Sequence, residues 1–373
     1  MAERVPPGTV VAGLPLLRRI VLAGARAGFA EIRVHKALAG AEDLIAGTRA
    51  GMLTVDEPDT PRASRRIVIV PANIVPQPRW LRSLREAEFS PETIYVDPSL
   101  TAVIETADPA RVLAGASRCR SAGELLGELR GVFAQLDDAL ELAGRFVVTA
   151  RGEVRRAEAW LLRGLIKQRE GFMSRHFERR ISLALTRRLV RTRVTPNAMT
   201  LVSVAIGLGS AAFFLSASPG YQLLGALLFL AHSILDGCDG ELARLKFAES
   251  RRGAILDFWG DNLVHIAVFG CIAVGWTLAT GSVWPLALGA VTITSGLGSA
   301  ACVFRRTVLD VVSGREASMT DRLTEAFTHR DFIYLVVALS AFGRADVFLV
   351  LASVGTPIFL LLLVWVGAAR RRA

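Results

Sequence analysis

Four aspartates concentrate the chemistry of this chain: Asp236, Asp239, Asp257 and Asp261, in the segment DGCDGELARLKFAESRRGAILDFWGD. Asp236 and Asp239 are three apart, and Asp257 and Asp261 four apart, so on helices each pair shares a face. A turn near Ala248 folds the two helices back on each other, levelling Asp239 with Asp257 and Asp236 with Asp261. Carboxylates gathered at one depth in partly apolar surroundings repel one another, so either some are protonated or cations sit among them. Oxygen-only donors, with no His or Cys at matching positions, favour Mg²⁺ or Mn²⁺ over zinc. Helix capping, or pairing with Arg244 and Arg251, is the plainer use of such groups, but it does not explain why all four face one another.

The neighbours of these aspartates are small or basic. Gly237, Gly240 and Ala243 leave one helix bare enough for a ligand or a second backbone to approach, and Gly253 does the same at the opening of the next; ordinary helix packing accounts for a glycine equally well. Arg244, one turn beyond Gly240, is placed to meet a phosphate or simply to mark the cytoplasmic side of a membrane.

Such helices need an apolar setting, and the composition supplies one. The 373 residues are 52% hydrophobic with a formal charge of +10, and a mean hydropathy of +0.41 is high for a soluble enzyme. Before about residue 195 apolar residues alternate with charges in short runs; after it come long apolar stretches, which predict spans at 198–217, 221–243, 253–280, 284–303, 332–342 and 347–368. The fifth is short and borrows flanking residues. Basic residues crowd the hairpin at 244–252, the loop after span four (Arg305, Arg306, Arg315, Arg322, Arg330) and the tail (Arg370, Arg371, Arg372), while the alternate loops carry almost no charge. Positive charge favours the inside, so both ends are expected in the cytoplasm, with the protein in the cell (inner) membrane. The arginines lack interleaved aromatics that stack bases, so membrane lipid, not nucleic acid, is the expected basic-surface partner.

The first half alternates strand-like runs at 31–35, 66–71, 93–97 and 146–149 with helical patterns at 14–28, 80–86 and 122–142, which predicts a mostly parallel α/β sheet. No basic-then-apolar leader opens the chain, so this part is expected to stay in the cytoplasm. A basic helical stretch from Glu153 to about Arg193 sets Phe172, Ile181, Leu185 and Leu189 among arginines, the pattern of a helix lying on a membrane surface or of a solvated linker. The expected organisation is a soluble α/β domain at 1–170, then a surface helix and a multi-pass six-helix membrane domain at 171–373.

The acidic segment resembles the CDP-alcohol phosphotransferase signature: Asp, two residues, Asp-Gly, two residues, Ala-Arg, eight residues, Gly, three residues, Asp, three residues, Asp. Asp236, Asp239, Gly240, Ala243, Arg244, Gly253, Asp257 and Asp261 fill its fixed positions, and VTPNAMTLVS at 194–203 is similar to the family's approach to its first span. The resemblance implies transfer of a substituted phosphate from a CDP-linked donor to an alcohol, with release of CMP, by a homodimer. It implies that Asp236, Asp239 and Asp257 bind metal, two ions in all, and help hold the diphosphate. Asp261 is then the base for the attacking hydroxyl and touches the second metal, while Gly240, Ala243 and Arg244 border the nucleotide.

The segment at 10–37 is similar to part of the sugar-nucleotidyltransferase family, but the Gly-rich, Arg- and Lys-bearing loop is missing, and Pro71-Ala72-Asn73 stands where a metal-binding Asp is expected. A catalytically silent domain is the expectation. A cytidylyltransferase-like domain fused to this membrane domain also resembles the arrangement that makes di-inositol phosphate by joining CDP-inositol to inositol phosphate. That favours a polyol or polyol-phosphate substrate, with Arg251, Arg252, Arg305 and Arg306 available to a phosphorylated acceptor. CDP-diacylglycerol remains an alternative donor. A cation or proton transporter, or a scaffold without activity, are the competing classes.

Overall fold

A computed structural model describes residues 5–53, 65–137, 140–141, 143–166, 177–304 and 332–372. Residues 54–64, Phe172 and the five arginines from Arg305 to Arg330 lie outside the described residues. The chain forms two compact units, Met1–Arg163 and Gly164–Ala373.

The first unit runs β1 (Val10–Val11), β2 (Leu14–Pro15), α1 (Leu16–Ala27), β3 (Arg33–Val34), α2 (Ala41–Ile45), β4 (Gly51–Met52), β5 (Arg65–Ile69), β6 (Ile74–Pro76) and α3 (Pro78–Glu86). It continues with β7 (Thr93–Val96), β8 (Ala102–Thr106), α4 (Pro109–Arg118), α5 (Ala122–Arg130), β9 (Ala134–Asp137), β10 (Arg145–Val147) and α6 (Val154–Arg163). The largest sheet has the order β5-β8-β7-β9. It is mixed, not mostly parallel as the strand–helix alternation predicts: β8 is antiparallel to both β5 and β7, and only β7 and β9 run parallel. The cause is the short link between β7 and β8, where the Asp97 carboxylate accepts from the backbone N–H of Ser99 and Thr101. A link that short permits a hairpin and not a crossover. The predicted helix at 122–142 stops at Arg130; Gly131 follows, and the chain turns into β9 beside β7.

The second unit is helical: α7 (Arg179–Leu189), α8 (Pro196–Phe213), α9 (Pro219–Lys246), α10 (Arg251–Thr280), α11 (Trp284–Phe304), α12 (Phe332–Ala341) and α13 (Ala345–Arg372). Among the described residues five of these, α8 to α11 and α13, are long and apolar enough to cross a membrane. The predicted fifth span is α12, whose ten residues reach only about 15 Å.

Local chemistry sets the ends of the helices that matter most. Thr195 caps α8 by accepting from Ala198 N–H, and Pro196 takes the first helical position, where its missing N–H costs nothing. Between α9 and α10 the chain reverses at Phe247, in the left-handed region at φ 53°, and Ser250 caps α10 by accepting from Gly253 N–H. The hairpin turns where the sequence predicts.

Glycines let α8 and α10 come close. A Cβ on Gly260 of α10 would lie 2.6 Å from Val204 Cγ2 of α8, and one on Gly207 of α8 would lie 2.6 Å from Val264 Cγ1 and 3.0 Å from His232 Cγ. Against this seam packs a core of Phe214, Phe229, Val264, Val268 and Phe348. Such contacts between small residues are how helices associate where lipid removes the hydrophobic drive.

The seam predicts a contrast between two positions on α8. Gly207→Leu is expected to destabilise the purified protein by about 1–3 kcal/mol through overpacking, read as a lower melting temperature in detergent. Gly209→Leu, where an added Cβ meets nothing within 4 Å, is expected to leave it unchanged.

Candidate metal centre

Asp236 and Asp239 project from α9 as buried side chains, and Asp257 and Asp261 stand half-buried on the first turns of α10. One carboxylate oxygen each from Asp236, Asp257 and Asp261 lie within 4.8 Å of one another. Asp239 stands outside that triad: its Oδ2 accepts a short hydrogen bond from Thr200 Oγ1 of α8. Three carboxylates thus converge, and the fourth, close enough to act electrostatically on Asp257, is held by a hydroxyl. Sequence spacing fixes which face an aspartate occupies, but not which neighbour on a third helix claims it.

The donor set fits a hard divalent cation. Asp257 Oδ1 is buried with no hydrogen-bond donor among the described residues, a costly state for an anion unless positive charge arrives. All candidate ligands are carboxylate oxygens, which suit Mg²⁺ or Mn²⁺.

The remaining predicted residues stand on the same two helices. A Cβ on Gly240 would sit 3.2 Å from Arg244 Nη1, so the missing side chain gives the guanidinium room to fold back along α9. Ala243 lies half-buried on the same helix. Gly253 sits where a Cβ would be 3.0 Å from Asn197 Oδ1, and so brings the start of α10 against the start of α8. Gly237 faces α7 instead: its Cβ would meet Arg179 Nη1 at 3.4 Å and Ser182 Cβ at 3.8 Å. Its bareness serves packing.

Two features were not legible beforehand. The first is Glu241, fully buried on α9, whose carboxylate accepts from Arg179 Nη1 at 2.7 Å, Ser182 Oγ at 2.8 Å and Thr186 Oγ1 at 2.7 Å. It docks α7 by its polar stripe, so that Phe177, just before α7, and Ile181 are exposed, the reverse of a soluble amphipathic helix. Ser182 and Thr186 are four apart among arginines, and that i, i+4 hydroxyl pair was the available signal. The second is His232, one turn before Asp236, with Nε2 3.5 Å from Asp261 Oδ1.

Residues 193–369 match the family model described as CDP-alcohol phosphatidyltransferase. The chain is 42% identical over 122 residues to a bifunctional IPC transferase and DIPP synthase of Thermococcus kodakarensis, covering 32% of this chain and 27% of that one. With the protein of the same description from Rubrobacter xylanophilus it shares 31% over 191 residues, 50% of this chain and 40% of the other. A CDP-diacylglycerol–serine O-phosphatidyltransferase of Mycobacterium leprae is 40% identical over 100 residues, 24% of this chain and 32% of the relative. The chain thus spans well under half the length of each of these curated relatives.

Two expectations follow from the geometry. Asp257→Asn removes a converging charge and is expected to weaken Mn²⁺ binding at least tenfold, measured by electron paramagnetic resonance of the free ion. Glu241→Ala strands Arg179 and two hydroxyls at a buried position, so it should lower stability by about 3–5 kcal/mol, visible in thermal unfolding.

Proposed function

We propose, from the match of residues 193–369 to the CDP-alcohol phosphatidyltransferase family model, that this protein moves a substituted phosphate from a CDP-linked donor to an alcohol, releasing CMP. The observation that carries the proposal is the convergence of Asp236, Asp257 and Asp261 within 4.8 Å, inside the segment that holds the family's fixed residues. Asp236, Asp239, Asp257 and Asp261 would hold Mg²⁺ or Mn²⁺, two ions in this reading, and bound cations neutralise diphosphate charge and stabilise the leaving group.

The chain's own residues then have separate tasks. Asp261 accepts the proton of the acceptor hydroxyl as its oxygen bonds to the β-phosphorus, and a carboxylate in that role contributes about 10²–10⁴-fold in rate. The bond from that phosphorus to the bridging oxygen breaks, and CMP leaves with the oxygen. Arg244, given room by Gly240, would meet the nucleotide phosphates, with Ala243 and Gly253 bordering them.

For the substrates we favour a CDP-polyol or CDP-diacylglycerol donor and an alcohol such as inositol phosphate. Support comes from the names of the relatives, which include both a DIPP synthase and an enzyme of CDP-diacylglycerol. The protein would be a homodimer with six crossings, α12 extended by its flanks completing the fifth, and with both termini in the cytoplasm. The first unit would be silent in catalysis. At the turn after β1, Ala12 N–H donates to Glu158 Oε1, while Arg19 donates to the carbonyls of Val11 and Ala12. A phosphate cradle needs free N–H groups, and this turn commits the N–H of Ala12 to Glu158.

A transporter is disfavoured because its ion sites sit on broken helices near the midplane, whereas α9 and α10 run unbroken through the carboxylates.

Purified protein with Mg²⁺ or Mn²⁺ should release CMP from one pairing in a panel of CDP-diacylglycerol, CDP-inositol and candidate alcohols. Release from no pairing, in protein that binds the metal, would favour a scaffold. Asp261→Asn is expected to abolish turnover nearly completely while CDP-donor binding stays measurable, and full activity in that variant removes the assigned base.

A further inference from the structure

Docking through Glu241 leaves the outer face of α7 to be explained. Phe177 stands there at 47% exposure and Ile181 at 41%, together with Arg180, Ala184, Arg187 and Arg188, all exposed. Helical spacing sorts the face into two lines, Arg180–Ala184–Arg187 and Ile181–Leu185–Arg188, so cations and apolar side chains share one surface. No acidic residue occurs between Arg179 and Val194, and among the described residues Arg180, Arg187 and Arg188 have no ion-pair partner. Three anchors fix the direction of this face. Tyr334 Oη of α12 donates to Glu178 Oε1 at 3.1 Å just before the helix, and Glu241 of α9 holds its middle. Beyond its end Lys246 Nζ, the last residue of α9, donates to the carbonyls of Thr192 and Val194, each at 3.0 Å. The link to α8 runs only from Val190 to Thr195, and α8 and α9 are both long and apolar enough to cross a membrane. The outer face of α7 therefore lies level with the ends of such helices, where a bilayer has its headgroups, and it cannot roll away without breaking these bonds.

We propose that α7 binds anionic phospholipid, with the guanidinium groups of Arg180, Arg187 and Arg188 on headgroup phosphates and Phe177 and Ile181 among the first acyl carbons. Charge complementarity selects this ligand. Each arginine held near a bilayer raises the local affinity for anionic lipid about fivefold, and the apolar pair gains nothing from a soluble phosphate. Zwitterionic lipid satisfies the apolar pair but leaves the positive charge uncompensated. The inference does not rest on the phosphotransfer reading, only on where α7 lies.

The test uses the full chain in phosphatidylcholine vesicles, with a fluorophore on Ile181→Cys in a background of Cys119→Ala, Cys271→Ala and Cys302→Ala; Cys238 is buried and stays. Nitroxide-labelled phosphatidylglycerol and phosphatidylcholine are compared as quenchers. We expect phosphatidylglycerol to quench at a mole fraction roughly fivefold lower or less, with the advantage shrinking as salt is raised. Arg180→Gln, Arg187→Gln and Arg188→Gln together should make the two lipids equal. A label on Leu361→Cys, exposed in the apolar middle of α13, should show no preference in either background. The triple variant keeps Glu241 and its partners, so its melting temperature should match the parent's. If it unfolds instead, Arg188→Gln alone decides, with an expected loss of about fivefold. Quenching by neither lipid would put the face in water, and equal quenching by both in the parent would leave only apolar contact; either result overturns the proposal. So does a preference that survives loss of the arginines, or one erased by soluble glycerol phosphate, which would make a free phosphate the ligand.

Discussion

Carboxylates do not gather in an apolar interior of their own accord. With oxygens within 4.8 Å, each ionised pair among Asp236, Asp257 and Asp261 repels by about 3 kcal/mol even at an effective dielectric near 20, and burial adds to the cost. The rest of the membrane domain is organised around supporting that arrangement. The helices α9 and α10 run unbroken through these positions, the Thr200 hydroxyl bonds Asp239, and the His232 imidazole lies 3.5 Å from Asp261 Oδ1. A divalent cation turns the same repulsion into a site.

The support comes from three directions. Gly207 and Gly260 let α8 and α10 approach until Val204 and Val264 fill the gap. Thr200 of α8 takes one oxygen of Asp239. On the opposite side of α9, Glu241 binds the hydroxyl stripe of α7, so α7 is tied to the helix that carries two of the aspartates. Each contact pairs a polar group with a partner, as an interior poor in water requires.

Much of this was legible because helical spacing is rigid. Residues three or four apart share a face whatever the surroundings, so Asp236 with Asp239 and Asp257 with Asp261 could be placed before any coordinates, as could the turn near Ala248. Contacts to a third helix are not periodic. That Thr200 would claim Asp239, or that Ser182 and Thr186 would face Glu241, depends on how α7 and α8 lean against α9. The sheet of the first unit differs for a similar reason: alternation of strand and helix predicts parallel pairing, but the short turn at Asp97 joins β7 to a strand at 102–106 as a hairpin. His232 carries no such signal, because a lone histidine in an apolar run is usually packing and its neighbours, Ser203 and Asp261, come from two other helices.

The most direct test of the account is crystallographic: crystals grown with Mn²⁺ and measured on either side of the manganese absorption edge. The account predicts an anomalous peak bounded by the carboxylates of Asp236, Asp257 and Asp261. Strong manganese peaks elsewhere on the protein, with those three side chains apart or turned toward lipid, would contradict it.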